Sequence, residues 1–321
     1  MILVTGGTGF VGRALVPALV GAGHRVRLLS RRPGQPQSGV EIVAGDLLEP
    51  SSLAPALDGV SDVVHLAAAL PGEQATADRI RTVNVDGSRN LARAAALAGV
   101  GRFIHGSSAG VYGDGEDAIA RSETASPTPA TVYERSKLEG EHAVTSELDV
   151  ARTGWIILRP SGVHGPGRAA TAAFFRQVAR RRIWIHGPAR VIVHPTDVVD
   201  VVSAILLVLA RTDIAGEVFN VAGPEAMTYP QLIEAIAAKL GVRPVQIKAP
   251  GPPVRALATL IAAAASTTGR RSLRRVESLR RAMVNRSLDI SKARTILGFQ
   301  PVPFGASLDA TIAWARAERL L

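Results

Sequence analysis

The sequence predicts an α/β fold in which helices cover both faces of a parallel sheet. The first observation is the opening segment, where a short apolar strand over residues 2–4 leads through a glycine-rich turn into an amphipathic helix. The second is that short apolar strands then alternate with helical segments as far as Pro160. The third is that glycine and proline interrupt this regularity after Pro160. The chain therefore divides into a regular N-terminal half and a less regular C-terminal half.

The glycine-rich turn carries Gly6, Gly9 and Gly12 at a spacing of three residues. A diphosphate can approach the backbone closely only where no Cβ atom intrudes, and the N-terminal amides of the following helix then bind its charge. An ordinary glycine-rich turn would contain the same residues, but this one joins a strand to a helix at the start of an alternating pattern. We therefore predict nucleotide binding by a Rossmann-type, doubly wound parallel sheet.

The later elements complete this architecture. Apolar runs predict strands, and 3.6-residue periodicity predicts helices. We expect strands over residues 25–29, 40–43, 60–66, 102–105, 155–158 and 217–221, and helices over 53–57, 77–98, 131–146, 198–210 and 229–240. Residues 244–253 contain four prolines and are interpreted as a connector. We predict a dinucleotide-binding domain over residues 1–160, to which residues 190–222 partly return, and a smaller C-terminal α/β substrate-binding domain over residues 161–321.

The composition narrows the possible chemistry. The chain of 321 residues is 47% hydrophobic and contains no cysteine, which excludes disulfides, cysteine nucleophiles and thiolate metal sites. Spacings of histidine and acidic residues do not suggest a metal site. Since the sequence begins directly with a strand and has no run of 18 apolar residues, we expect neither a secretory signal nor a spanning helix. These observations predict a cytoplasmic protein.

The net charge of +10 is concentrated in residues 270–286, which hold seven arginines and one glutamate. Aromatic residues and a known binding motif are absent there, so we expect no nucleic-acid partner. A solvated basic helix, or attraction to an anionic ligand or membrane, remains open. The preceding apolar residues 254–265 allow either a lid helix over the substrate or an interfacial helix that contacts an anionic membrane.

Three residues suggest acid–base chemistry. Tyr133 and Lys137 lie four residues apart on a predicted helix, where they share a face. An adjacent ammonium group favours the phenolate and so lowers the tyrosine pKa, and the same lysine could bind a ribose hydroxyl. Ser108 follows a strand at the ligand-binding edge of the sheet, with Ser107 as a competitor. The alternatives are a surface Tyr–Lys pair and a serine that caps a turn.

These three residues, together with further motifs that occur in the family's order along the chain, resemble the extended short-chain dehydrogenase/reductases, also called the NAD-dependent epimerase/dehydratase family. The resemblance extends over nearly the whole chain through the glycine turn, Asp46-Leu47, residues 65–68, 84–87 and 107–113, the Tyr133/Lys137 pair, and residues 158–167, 219–223 and 289–299. It implies that Tyr133 is the acid/base, that Lys137 lowers its pKa and binds ribose, and that Ser108 positions the substrate oxygen.

The resemblance also implies a set of binding residues. The cofactor would contact Gly6, Gly9, Phe10, Val11, Gly12, Ser30, Arg31, Arg32, Asp46, Leu47, Leu66, Ala67, Ala68, Asn84, Tyr133, Lys137, Pro160 and Val163. The small-molecule substrate would contact Ser108, Arg190 and His164. Arg190 resembles an arginine that contacts the diphosphate in nucleotide-sugar members, although it could be an ordinary charged strand-end residue. His164 stands where the family commonly has a tyrosine.

Two departures from the family pattern narrow the reaction. Ala109 and Gly110 stand where dehydrating or decarboxylating members carry carboxylates, which favours simple oxidoreduction or epimerisation. Ser30 stands where NAD-preferring members carry an acidic residue, and Arg31 and Arg32 follow it. Two guanidinium groups could bind a ribose phosphate, so NADP is favoured over NAD as cofactor. This preference argues against an epimerase, because the comparable epimerases usually retain NAD.

We therefore predict an NAD(P)-dependent enzyme that epimerises or reduces a sugar, with a nucleotide-linked sugar as the favoured substrate. One alternative is a dehydrogenase or reductase of an apolar hydroxy or keto compound, steroid-like or flavonoid-like, or of a lipid-linked sugar. A second alternative is a non-catalytic NADP-binding sensor or scaffold. Family members often form homodimers through the two helices near residues 80–98 and 131–146, so a homodimer is expected by analogy.

Overall fold

The computed structural model describes residues 1–32, 38–71, 76–114, 119–180, 182–186, 191–243, 245–249 and 285–321. The strands are β1 (Ile2–Thr5), β2 (Val26–Ser30), β3 (Val40–Ala44), β4 (Asp62–His65), β5 (Arg102–Gly106), β6 (Gly154–Pro160), β7 (Gly162–His164), β8 (Arg182–His186), β9 (Ile192–Val193), β10 (Pro195–Asp197), β11 (Glu217–Val221), β12 (Met227–Thr228) and β13 (Val245–Ala249).

The α-helices are α1 (Phe10–Gly21), α2 (Leu53–Leu57), α3 (Ala77–Arg81), α4 (Gly87–Leu97), α5 (Val132–Glu147), α6 (Ala169–Ala179), α7 (Val198–Leu209), α8 (Tyr229–Leu240), α9 (Ser291–Leu297) and α10 (Phe304–Ala317). Short 3₁₀ turns cover Pro50–Ser52 and Ala109–Tyr112, and a π-helical turn covers Thr82–Asp86.

The central sheet has seven strands in the order β3-β2-β1-β4-β5-β6-β11, and all neighbouring pairs are parallel. The chain builds outward from β1 to β3 and then crosses back to β4 on the other side of β1. This reversal opens a crevice at the carboxyl ends of β1 and β4, where doubly wound sheets bind their ligands. The predicted Rossmann-type α/β fold is confirmed.

Helices bury both faces of this sheet. On one face, Leu15 and Leu19 of α1 pack with Ile205 of α7 in a core that continues across the sheet. On the other face, Leu91 of α4 belongs to a second core with Phe103 of β5. Both cores consist of fully or nearly fully buried apolar side chains, which supply the dominant hydrophobic stabilisation.

The C-terminal half has a smaller core of its own, in which Phe175 of α6, Ile233 of α8 and Leu308 of α10 pack together. By contrast, β11 lies beside β6 in the central sheet, and α7 packs on α1. The predicted division near residue 160, with a partial return of residues 190–222, remains a prediction. Among the helices described, none is both long and apolar enough to cross a membrane.

Two sequence-based expectations differ from the structure. The single helix expected over residues 77–98 is interrupted by the π-helical turn Thr82–Asp86, which joins α3 to α4. The expected connector over residues 244–253 contains β13, which pairs in parallel with β8. The prolines lie at 244, 250, 252 and 253, so residues 245–249 keep all their amide donors and can form a strand.

Candidate active site

The glycine turn between β1 and α1 forms a cradle with no room for side chains. Gly6 has a φ of +71°, and a Cβ atom there would lie 2.6 Å from the amide nitrogen of Ala67. A Cβ atom on Gly12 would lie 2.3 Å from the carbonyl oxygen of Gly6. Gly9 is the N-cap of α1 and places no side chain over the first amides of the helix. This geometry fits a diphosphate held by backbone amides.

Phe10 and Val11 form the first turn of α1, and the loop after β7 is fastened to it. The guanidinium of Arg168 lies 5.5 Å from the centre of the Phe10 ring, and its Nη1 atom donates a hydrogen bond to the carbonyl oxygen of Val163. The side chain of Arg13 donates to the carbonyl oxygen of Gly167 at 3.2 Å. These contacts hold the loop at residues 163–168 beside the glycine cradle.

The end of β2 presents two cationic side chains to solvent. The hydroxyl of Ser30 donates to the carbonyl oxygen of Arg32 at 2.7 Å and accepts from its amide at 3.3 Å. Arg31 and Arg32 are both exposed. This turn therefore holds two guanidinium groups at the strand end where the ribose of a dinucleotide binds in folds of this type.

Asp46 and Leu47 form a fixed turn after β3. The Oδ1 atom of Asp46 accepts a hydrogen bond from the amide of Leu48 at 3.0 Å. Leu47 is buried, and its carbonyl oxygen accepts from the side chain of Asn90 at 2.9 Å. The turn is thereby locked between the sheet and α4.

At the end of β4, a buried hydrogen-bond chain fixes residues 66–68. The hydroxyl of Ser88 donates to the carbonyl oxygen of Asn84 at 2.7 Å, so it accepts from Nε2 of His65 at 2.9 Å. Nδ1 of His65 then accepts from Thr5 Oγ1 at 2.6 Å, and this oxygen accepts from the amide of Ala67 at 3.2 Å. Burial and the Lys137 charge lower the pKa of His65 to about 3, so the ring is neutral.

Asn84 is among the predicted cofactor contacts, and its side chain makes hydrogen bonds within the protein. Its Oδ1 atom accepts from the amide of Ala69 at 2.7 Å, and its Nδ2 atom donates to the carbonyl oxygen of Ala69 at 3.1 Å and to Ser136 Oγ at 2.9 Å. The side-chain amide is thus engaged within the protein, where it ties the segment after β4 to α5.

Helix α5 presents Tyr133 and Lys137 at the same edge of the sheet. Thr131 and Glu134 form a reciprocal capping box that begins the helix. Tyr133 is partly exposed, whereas Lys137 is 3% exposed and donates from Nζ to the carbonyl oxygen of Gly106 at 2.7 Å. Burial lowers the pKa of Lys137 to about 8, although the Glu141 carboxylate opposes this shift.

The titration of Lys137 should be visible in the pH dependence of stability. Its pKa is about 8 in the folded protein, against an ordinary value of 10.5. The free energy of unfolding should therefore increase as the pH rises from about 8 to 10.5, because the unfolded chain binds more protons in this range. Lys137→Met should therefore stabilise the protein at pH 7, by roughly 1–3 kcal/mol after loss of the Gly106 hydrogen bond. Urea unfolding at pH 7 and pH 10 measures this difference, which should shrink at pH 10. A pH-independent difference would contradict the assignment.

The two serine candidates have different surroundings. Ser107 is buried, and its hydroxyl donates to Oε1 of Glu141. Ser108 is partly exposed, and its hydroxyl accepts from the amide of Gly110 at 3.1 Å, which leaves its own proton for another acceptor. The surroundings therefore favour Ser108 over Ser107 as the hydroxyl that meets a substrate.

Paired alanine substitutions would test this choice. Ser108→Ala should lower kcat by about 10²-fold, the usual effect of removing one positioned donor, and should cost about 0.5–1 kcal/mol in stability because the amide of Gly110 loses its cap. Ser107→Ala should cost about 1–3 kcal/mol in free energy of unfolding because the buried Glu141 loses a donor. Steady-state kinetics and urea unfolding of both variants measure the effects. The reverse pattern would assign the catalytic hydroxyl to Ser107.

A buried polar network beneath these residues was not anticipated from the sequence. Arg159 donates to both carboxylate oxygens of Glu141, at 3.0 and 2.6 Å, and to the hydroxyl of Tyr112 at 2.9 Å. The Tyr112 hydroxyl donates to Oδ1 of Asn220 at 2.8 Å. Burial alone would lower the pKa of Arg159, but the Glu141 hydrogen bonds raise it above its usual value. The available signal was the spacing of Glu141, four residues after Lys137 on one helical face.

Pro160, a predicted cofactor contact, ends β6. The predicted substrate residues His164 and Arg190 lie after it in the chain. The Nε2 atom of His164 lies 2.8 Å from the hydroxyl of Ser307, and its ring packs against Phe304, so its contacts lie with α10. Burial lowers the pKa of His164. Arg190, the basic segment 270–286 up to residue 284, and the apolar residues 254–265 lie outside the described residues. In the described ranges, histidine and acidic side chains form no cluster suited to a metal ion.

Comparison with known families identifies this arrangement. The model of the NAD dependent epimerase/dehydratase family matches residues 2–222, which span the sheet and the residues described above. The chain belongs to this family. It is an enzyme of the extended short-chain dehydrogenase/reductase type, whose members include NAD-dependent oxidoreductases and epimerases.

Among curated relatives of this family member, a 3β-hydroxysteroid dehydrogenase/Δ5→4-isomerase of Mycobacterium tuberculosis is 36% identical over 52% of this chain and 48% of its own length. The match thus spans about half the length of that relative. A ceramide reductase of Caulobacter vibrioides is 32% identical over 84% of this chain and 79% of its own. Sterol demethylase protein B of Methylococcus capsulatus is 31% identical over 99% of both chains.

A solved structure shares the fold over the full length. MoeE5, determined in complex with UDP-glucuronic acid and NAD, has a TM-score of 0.77 at 28% identity and covers 99% of both chains. The chain is thus similar in sequence to proteins named for apolar substrates and similar in structure to a protein determined with a nucleotide sugar.

Proposed function

We propose that this protein transfers hydride between a nicotinamide dinucleotide and the carbinol carbon of an apolar hydroxy or keto compound. The supporting observation is that Lys137, one helical turn after Tyr133 on α5, donates to the carbonyl oxygen of Gly106, two residues before Ser108, at the carboxyl edge of the sheet that also carries the glycine cradle. The bound cofactor supplies or accepts the hydride. In the oxidation direction, Tyr133 takes the hydroxyl proton while Ser108 binds the substrate oxygen. Lys137 favours the phenolate form and binds the ribose.

Among the described residues, exposed apolar side chains next to the site favour an apolar substrate. Leu70 is 60% exposed, and Val132, directly before Tyr133, is 37% exposed. Leu70 follows Ala69, which the Asn84 side chain ties to the second turn of α5. Large apolar side chains near a reaction centre provide contact area for a hydrocarbon ligand. The ceramide reductase and the sterol-named relative, which cover most of the chain, support the same class.

A nucleotide-linked sugar is the second candidate substrate. It is favoured by the full-length similarity to MoeE5, whose structure contains UDP-glucuronic acid. Arg190, the predicted diphosphate contact, lies outside the described residues, so this candidate rests on the comparison. The predicted cytoplasmic location, homodimer and contact with an anionic membrane remain predictions.

A direct turnover assay separates the candidates. Purified protein would be incubated with NADPH or NADH and an oxidised ceramide, with NAD(P)⁺ and a 3β-hydroxysteroid, and with UDP-glucose. Consumption or formation of reduced nicotinamide with an apolar probe would support the proposal. Conversion of UDP-glucose alone would support the sugar candidate. If no probe reacts while the dinucleotide binds, the proposed substrate class is wrong and the sensor hypothesis gains support.

We further propose that NADP is preferred over NAD, because Arg31 and Arg32 are exposed at the end of β2 and can pair with a ribose phosphate. Replacing both arginines with serine should weaken NADPH binding by about 10- to 100-fold and leave NADH binding within about threefold. Quenching of protein fluorescence on titration measures both affinities. Arg135→Ser, which removes an exposed charge from α5, provides the control. Equal losses for both cofactors would overturn the proposed preference.

A further inference from the structure

The carboxylate of Glu134 is buried one residue after Tyr133. Glu134 is 3% exposed, and its Oε2 atom accepts hydrogen bonds from the amides of Ala130 and Thr131 at 3.0 and 2.9 Å. In return, the Thr131 hydroxyl accepts from the amide of Glu134 at 3.1 Å. Oε2 and the Thr131 hydroxyl thus complete the capping box of α5, and the other carboxylate oxygen, Oε1, faces a partner from the C-terminal half.

That partner is Arg286, which is 152 residues away in the chain. Its Nη2 atom donates to Oε1 of Glu134 and lies 4.0 Å from Oδ1 of Asp114. The backbone of the same segment is anchored elsewhere, since the amide of Arg286 donates to the carbonyl oxygen of Ile192 at 2.9 Å and Asn285 Oδ1 accepts from the amide of Ile192 at 2.8 Å. Arg286 therefore connects the C-terminal half to the first turn of the helix that carries Tyr133.

Glu134 occupies space that Gly110 leaves open beside Ser108. A Cβ atom on Gly110 would lie 2.8 Å from Cγ of Glu134 and 3.3 Å from Oγ of Ser108. Ala109 and Gly110 carry no carboxylate, but the side chain of Glu134 on α5 brings one close to Gly110 and Ser108. Burial would favour its neutral form, but Arg286 and the two amides outweigh this effect and hold the pKa of Glu134 below its usual value. The group is therefore an ionised, saturated acceptor and not a proton donor.

We propose that Arg286 is a positioning residue for the reaction. Its ion pair with Glu134 fixes the first turn of α5, and with it Tyr133, against the Ser108 loop. The guanidinium also neutralises a carboxylate that would otherwise raise the energy of the Tyr133 phenolate. This inference rests on the proposed role of Tyr133 as the acid/base.

We expect Arg286→Met and Glu134→Gln to change the stability of the Tyr133 phenolate in opposite directions. Among the described residues, the other charged groups around this turn are Lys137 and Arg135 on α5 and Asp114. The buried rings of His65 and His105 lie near Lys137, and burial lowers the pKa of both and holds them neutral. Arg286→Met leaves the Glu134 charge uncompensated and should disfavour the phenolate. Glu134→Gln leaves the Arg286 charge uncompensated and should favour it. Glutamine can still complete the capping box.

Phenolate absorbance provides a readout that needs no substrate. The chain has three tyrosines, and burial raises the pKa of Tyr112 and raises that of Tyr229 to about 12. The first phenolate to form should therefore be Tyr133, an assignment that its loss in Tyr133→Phe verifies. The midpoint should move up by about one pH unit in Arg286→Met and down by a similar amount in Glu134→Gln. In the double variant Arg286→Met/Glu134→Gln, the midpoint of phenolate formation should lie near that of the wild type. Arg135→Met should shift the midpoint by only a fraction of one pH unit.

Kinetics with the 3β-hydroxysteroid or the oxidised ceramide test the positioning part. Arg286→Met should lower kcat by about 10- to 100-fold with KM within about threefold, and Arg286→Lys should recover part of the loss. The effects of Arg286→Met and Glu134→Gln on kcat should be strongly non-additive. A rise in KM alone would make Arg286 a substrate contact and overturn the proposal, as would midpoints that do not move in opposite directions. Opposite midpoint shifts without turnover of any probe would refute the proposed substrate class and support the electrostatic coupling.

Discussion

Tyr133→Phe is expected to lower kcat by about 10²–10⁴-fold while the affinity for the dinucleotide stays within about threefold. The substitution removes the hydroxyl that exchanges a proton with the substrate oxygen but keeps the aromatic ring on α5. Lys137, whose Nζ lies 2.7 Å from the carbonyl oxygen of Gly106, should remain in place. The measurement is steady-state turnover of the reactive probe, together with a fluorescence titration of NADPH.

Tyr229→Phe makes the same chemical change in the separate core of the C-terminal half and provides the control. Tyr229 begins α8, and its ring stacks on Phe174 with 6.0 Å between ring centres. Its removal should leave kcat nearly unchanged. If Tyr133→Phe also retained full activity, Tyr133 would not be the acid/base, and the resemblance to the catalytic Tyr–Lys pair would be incidental.

Arg159→Leu is expected to lower the free energy of unfolding by about 3–5 kcal/mol. The guanidinium is 7% exposed and pairs with a Glu141 carboxylate that is 3% exposed, so its removal leaves a buried charge without its cation. Ser107 also depends on this carboxylate, since its hydroxyl donates to it. Urea unfolding at pH 7 measures the loss, and we expect activity to fall because Ser107 precedes Ser108 directly.

Two variants define the cause of that loss. Arg93→Leu removes an exposed partner of Glu147 and should produce no measurable change, because solvent screens surface pairs. In the double variant Arg159→Leu/Glu141→Gln, which removes both charges, a substantial part of the stability should return. A double variant as unstable as Arg159→Leu would show that side-chain packing, and not the unpaired carboxylate, dominates the loss.

Much of the site could be predicted from the sequence because its signals are local. The glycine turn requires three positions without a Cβ atom, and the structure shows that Gly6 and Gly12 have no room for one. The spacing of Tyr133 and Lys137 reflects a single helical turn, which α5 provides. The parallel pairing of the sheet follows from the alternation of strands and helices, since parallel strands need helical crossovers. Each of these features depends on residues within a few positions of one another.

The tertiary structure alone decided the features whose partners lie far apart in sequence. The sequence favoured Ser108 over Ser107, but it gave no sign that the Ser107 hydroxyl is engaged by Glu141, 34 residues away. The partners of the Asn84 amide, Ala69 and Ser136, lie up to 52 residues away and could not be read from local spacing. The partner of His164 is 143 residues away, and that of Glu134 is 152 residues away. A buried polar group without a hydrogen-bond partner destabilises the fold, so each of these groups has one. Which partner it has depends on how distant elements pack, and local periodicity and spacing contain no information about that packing.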